Sequence, residues 1–133
     1  MKKNITPIRN ARLAMQVVRP FLPDPDSGKT VALCDYRGIP FLSFTAQKCP
    51  EVEVIKEFLG TGCLPEGNAA TVVVQDAKAG LEPEVLVREL IPHVRVAQEL
   101  KTLFRGVGLQ LTDYILTNGK RFYSFAKEKT YRI

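Results

Sequence analysis

Histidine is almost missing from this chain. Its 133 residues include one, His93, and tryptophan does not occur at all. A single imidazole excludes a His-rich metal centre and constrains any catalytic scheme that needs paired histidines. Cysteine is also scarce: Cys34, Cys49 and Cys63 are odd in number and lack the CxxC spacing of a zinc ribbon. They read as small, reduced, largely buried side chains rather than a disulfide framework. No apolar run approaches the roughly 18–20 residues of a membrane helix, and Met1 to Pro7 lacks the apolar core of a secretory signal. The expectation is a cytoplasmic protein with no membrane association. What is present is ordinary: a hydrophobic fraction of 45% excludes wholesale disorder, and the length suits one domain over 1–133.

The net charge of +5 is unevenly spread. Residues 1–23 carry Lys2, Lys3, Arg9, Arg12 and Arg19 with no acid, and residues 118–133 carry Lys120, Arg121, Lys127, Lys129 and Arg132 against Glu128 alone. The stretch between them is net acidic. If the two basic ends share a face, their charges sum into a field that suits phosphate or an acidic partner. Solvation of two termini explains the same pattern without a partner.

Local patterns divide the chain into alternating helices and strands. Ile8, Leu13 and Val17, with Ala11 and Ala14 beside them, have helical spacing, which predicts a helix over about 8–19 ended by Pro20. Pro23 to Gly28 is turn chemistry throughout. A hairpin follows over about 29–45: Thr30 to Tyr36 reads as a buried strand, Arg37-Gly38 as the turn and Ile39 to Thr45 as the partner. Glu51 to Leu59 is helical, closed by Gly60-Thr61-Gly62. Ala70 to Val74 is short, β-branched and uninterrupted, as a central strand buried on both faces would be. Pro83–Ile91 and Val94–Arg105 look helical, with Pro92 breaking or kinking the chain between them and Gly106 and Gly108 closing the second. A second hairpin spans about 109–126, with Asn118-Gly119 as its turn. Such a dipeptide signals a type I′ turn with positive φ at both residues. Two hairpins among alternating helices predict an α/β domain whose mixed sheet is flanked by helices.

Several apparent motifs fail on chemistry. Gly28-Lys29-Thr30 has the tail of a phosphate loop, but Pro23 stands where its first glycine belongs and a strand follows instead of a helix. Cys34 has no histidine beside it in sequence to activate it, and Cys49 is at most a reactive loop thiol. Tyr114, Phe122, Tyr123 and Phe125 alternate with basic residues, a pattern that can stack on and neutralise nucleic acid. In a period-2 hairpin, however, half of those rings face the core.

The run Glu99-Leu100-Lys101, then Gly108-Leu109-Gln110-Leu111-Thr112-Asp113-Tyr114-Ile115-Leu116 and Phe122-Tyr123-Ser124-Phe125, resembles the end of the RadC-like branch of the JAB/MPN family. Members there run helix, Gly-Ile-x-Leu-x-Asp-His-Ile-Ile, a glycine-containing turn and Tyr-Ser-Phe. Leu33-Cys34-Asp35, Val54 to Leu59 and Val72-Val73-Val74 are compatible with the family's upstream strand, helix and strand. The resemblance implies a single three-layer JAB/MPN-like domain, related to the cytidine-deaminase-like fold. It also implies a zinc hydrolase: His-x-His-Pro-Ser-Gly and a downstream Ser-x-x-Asp hold the metal, and an early glutamate serves as base. Two imidazoles and a carboxylate would leave an open position at which water is acidified.

Residue by residue, that chemistry is missing. With Gly80 on the motif's glycine, Gln75 and Ala77 take the two histidine positions, and Asp76, Lys78 and Ala79 those of Asn, Pro and Ser. Counting back from Glu99-Leu100-Lys101 puts His93 near the aspartate position and Leu90 near its serine, while the base glutamate would fall near Gly28 or Lys29. The expectation is therefore no zinc and no catalytic residues, and a non-catalytic interaction module working through a protein partner or self-association. A hydrolase with ligands rebuilt from Asp76, Glu82 and His93 is the enzymatic alternative. A third reading is nucleic-acid binding through the basic termini, with Lys120, Arg121, Lys127, Lys129 and Arg132 as the candidate residues. RadC-like proteins are associated by name with DNA repair and occur among mobile-element genes.

Overall fold

The computed structural model describes residues 11–22, 29–46, 51–76, 78–80 and 83–132. Six strands form one mixed sheet: β1 (Lys29–Asp35), β2 (Pro40–Ala46), β3 (Ala69–Asp76), β4 (Gln110–Thr117), β5 (Arg121–Ser124) and β6 (Lys129–Arg132). Three α-helices accompany them: α1 (Ala11–Val18), α2 (Glu51–Leu59) and α3 (Pro83–Gly106). The spatial order is β2-β1-β3-β4-β5-β6. Only β3 and β4 run parallel, joined by the α3 crossover; the other neighbours are antiparallel.

The central strands alternate cleanly between two cores, because successive strand side chains point to opposite faces. Val31 and Leu33 of β1, Val72 and Val74 of β3, and Tyr114 and Leu116 of β4 pack with Ile55 and Leu59 of α2 and Leu100 and Phe104 of α3. Ala32, Cys34, Val73, Ile115 and Phe122 pack on the other face with Ala14, Met15 and Val18 of α1. The result is helix, sheet, helix in three layers, with β3 at the centre as its β-branched run requires. Among the described residues, no helix is long and apolar enough to cross a membrane.

Four features differ from the sequence reading. First, α3 is a single helix from Pro83 to Gly106 and Pro92 lies within it. A proline removes one backbone bond and crowds the carbonyl four residues back, but its ring here is on the exposed side, where water can serve the released carbonyl. Second, the β4–β5 turn falls where Asn118-Gly119 predicts, yet only Gly119 has positive φ. Asn118 accepts hydrogen bonds on its Oδ1 from the backbone N–H groups of Lys120 and Arg121. Its own N–H donates to the Arg121 carbonyl, so Gly119 and Lys120 form the tip in the manner of a type II′ turn. Third, β6 extends the sheet beyond the expected last strand. Fourth, the helix expected from Ile8 is described from Ala11 onward; its first residues lie outside the described residues, and a 3-10 turn at Arg19–Phe21 follows it.

The end of α3 follows its sequence closely. Leu109 N–H bonds to the Phe104 carbonyl and Gly108 N–H to the Arg105 carbonyl, with Gly108 at φ 80°. These two bonds form a Schellman cap, which delivers the chain into β4.

Candidate functional site

The positions compared with the family's metal motif begin at the end of β3, and the structure gathers polar side chains there from five elements. Asp76 is the last residue of β3 and sits opposite Lys29, the first of β1, in the antiparallel register. His93 projects from α3 and is 4% exposed. Its Nε2 lies 3.3 Å from Asp76 Oδ2, and its Nδ1 lies 2.9 Å from the Tyr114 hydroxyl. Tyr114, from the middle of β4, is 1% exposed.

The partners assign the protons. An ionised carboxylate can only accept, so the Nε2 of His93 donates to Asp76 and, in the neutral imidazole, Nδ1 accepts from the Tyr114 O–H. Each polar atom in the chain from Asp76 to Tyr114 is thereby satisfied, which a buried imidazole and phenol require. The electrostatics agree. The hydrogen bond from His93 holds the Asp76 carboxyl below the usual carboxylate range, overcoming the burial that would raise it. Burial pushes the Tyr114 phenol well above its ordinary value, and the charges of Glu51 and Asp76 push the same way.

A second pair closes the site from the side of α2. Glu51, in the first turn of that helix, is 3% exposed, and its Oε2 lies 3.3 Å from Lys29 Nζ. The sequence reading found no acid near Lys29. The structure brings one there from 22 residues away. An acid at the start of a helix is a routine dipole-compensating choice, so nothing in the sequence marked Glu51 as a buried partner.

Of the candidate residues, Asp76 and His93 are brought together, Gln75 is half-buried on β3, and Leu90 is a buried core residue. Ala77, Glu82, Gly28 and Cys49 lie outside the described residues. The donor set does not match what zinc needs. His93 has both ring nitrogens engaged, Gln75 is a weak ligand, Ala77 has no donor atom, and Glu51 is committed to Lys29. Among the described residues, no group of three His, Cys, Asp or Glu side chains could hold a metal ion.

The basic candidates lie along β5, β6 and the turns that flank β5. Lys120 sits at the tip of the β4–β5 turn, Arg121 faces Arg132 across β5 and β6, and Lys129 faces Ser124 at the other end of that ladder. Lys127 is exposed on the β5–β6 turn. Lys129 Nζ lies 5.6 Å from the Tyr131 ring centroid. The aromatic residues interleaved with these bases are mostly structural. Phe122 is 1% exposed and stacks on Tyr131 at 5.1 Å, while Phe125 meets Tyr114 edge-on at 5.1 Å.

Cys34 is buried, and burial together with the neighbouring Asp35 pushes its thiol up to about 12, which removes it as a nucleophile at neutral pH. Asp113 is a turn-building residue. It accepts from Ser124 Oγ at 2.5 Å and from the backbone N–H groups of Tyr114 and Ala126. A groove of about 420 Å³ runs beside it between α3 and β4, lined by Val94, Ala97, Lys101, Leu111 and Phe125.

No protein-family model, curated protein or solved structure matches this chain.

Proposed function

We propose that the chain is a RadC-like JAB/MPN domain that has exchanged zinc chemistry for a hydrogen-bonded structural network and works as a protein-interaction module. The order of elements supports the fold assignment: a helix, an antiparallel hairpin, a helix, a central strand, a crossover helix, a parallel strand and a closing hairpin, in three layers. The residues resembling the family's last quarter lie on α3, β4 and β5, consecutive elements of that order.

One observation carries the loss of chemistry. The chain's only imidazole spends Nδ1 on Tyr114 and Nε2 on Asp76. A histidine bound at both nitrogens has no lone pair directed at a metal, and the tyrosine that holds it is itself buried. Elemental analysis of protein purified without chelator tests this reading. The expected result is zinc far below one equivalent per chain. One tightly held equivalent would overturn it.

The meeting of Asp76 and His93 favours a second reading, a hydrolase with displaced ligands. That reading requires a metal-dependent cleavage that His93→Ala and Asp76→Ala abolish, whereas the module reading gives no activity to abolish. Nucleic-acid binding through the basic ends would fall steeply with salt, because phosphate contacts release counterions. Fluorescence anisotropy with single- or double-stranded DNA tests this reading: no binding even at low salt would remove it.

A further inference from the structure

The sheet has two edges of opposite character. β6 ends it with Lys129 and Arg132, flanked by Lys127 and Glu128, and charge on an edge strand discourages pairing with another chain. β2 ends it with Pro-Phe-Leu-Ser-Phe-Thr-Ala, which has no ionisable side chain. Its proline is the first residue, beside a register shift, and so leaves the remainder of the strand able to pair. Among the described residues, no strand lies outside β2.

The side chains of β2 are also arranged for a particular partner. Leu42 and Phe44 lie opposite Leu33 and Val31 on the face covered by α2, where they are half-buried at the rim of the first core. Ser43 and Thr45 point to the other face and are exposed. A two-fold axis through Ser43 would set a second β2 antiparallel to the first, with Leu42 of each chain opposite Phe44 of the other. Both chains then extend the same apolar face, and the exposed face carries only hydroxyls at the junction. An antiparallel neighbour in this register satisfies the outward backbone groups and covers the two half-buried rims at once.

We propose that β2 is a self-association edge, on which two copies of this chain pair antiparallel about Ser43 into one continuous sheet. This names a partner for the interaction-module reading and rests on it for its purpose, although the strand pattern itself does not depend on the metal site.

Size-exclusion chromatography with light scattering tests the pairing. The wild-type chain is expected at twice its 14.9 kDa mass over a wide concentration range. Ser43→Lys places two like charges face to face at the axis, on an exposed position that leaves the fold intact, and is expected to halve the measured mass. Ser43→Glu is expected to do the same. An equimolar mixture of the two is expected to return to the dimer mass, a recovery that misfolded variants would not give. A monomeric wild type, or a dimer that survives both substitutions, would overturn the proposal. Zinc content separates the two readings: a zinc-free monomer overturns the edge pairing alone, and a zinc-loaded dimer overturns the module reading alone.

Discussion

Asp76 and Asp113 are both partly buried on neighbouring strands, yet their carboxyl groups are shifted in opposite directions. Asp76 accepts a hydrogen bond from His93 and has a lysine across the sheet, and its charged form is favoured. Asp113 is surrounded by neutral donors, the Ser124 hydroxyl and backbone N–H groups. Burial outweighs them and raises its pKa. The difference lies in depth: at the more open Asp76 the hydrogen bond from His93 outweighs burial, whereas at Asp113 deeper burial outweighs several hydrogen bonds. Asp76 therefore belongs to a hydrogen-bonded network that joins β3, α3 and β4, whereas Asp113 shapes a turn.

The strongest way to break the comparison is through the residue that anchors the first network. Tyr114→Ala removes a buried ring from the core and should cost about 3–5 kcal/mol of stability, measured by urea unfolding. Tyr114→Phe keeps the ring and removes only the donor to His93, so the cost should fall to about 1–3 kcal/mol. If the two substitutions were equally costly, the hydroxyl rather than the packing would dominate. Next comes Asp76→Asn, expected to cost about 1 kcal/mol because the site is partly open to water. Its effect should shrink in a His93→Leu background, since both substitutions cut the same bond. A double-mutant cycle without coupling would show that the 3.3 Å contact contributes nothing.

The pH dependence sharpens the contrast further. The Asp76 pKa is lowered on folding, so its contribution is present above the ordinary aspartate value and is lost as pH falls through the folded one. The Asp113 pKa is raised, so its contribution is full below the ordinary value and is lost as pH rises through the folded one. Stability-versus-pH curves of Asp76→Asn and Asp113→Asn should therefore differ from wild type in opposite senses across the acid range. Comparable in size to Asp76→Asn, Ser124→Ala removes one donor to Asp113 and should cost about 1 kcal/mol.

Much of the fold was legible because its signals are local. The glycines after Leu59 and Arg105, the β-branched run of β3 and the Asn118-Gly119 turn each act within a few residues. What escaped the sequence depends on longer reach. β6 is Lys-Thr-Tyr-Arg, too short and too charged to display a strand pattern without β5 beside it. Pro92 marks a break by local rule, but packing on both sides of it keeps α3 continuous. The network at Asp76 was half legible: family-like spacing drew attention to Asp76 and His93. Tyr114 stands where the resembling family has histidine, and its bond to His93 spans 21 residues and depends on how α3 settles over β4. Glu51 was invisible for the same reason.

The lone histidine makes the central claim directly measurable, because ring-nitrogen NMR of the labelled protein contains one imidazole and no overlap. The account predicts the tautomer with the proton on Nε2 and Nδ1 accepting from Tyr114, unchanged when zinc is added in excess. Movement of either ring nitrogen in proportion to added zinc, saturating at one equivalent, would contradict it.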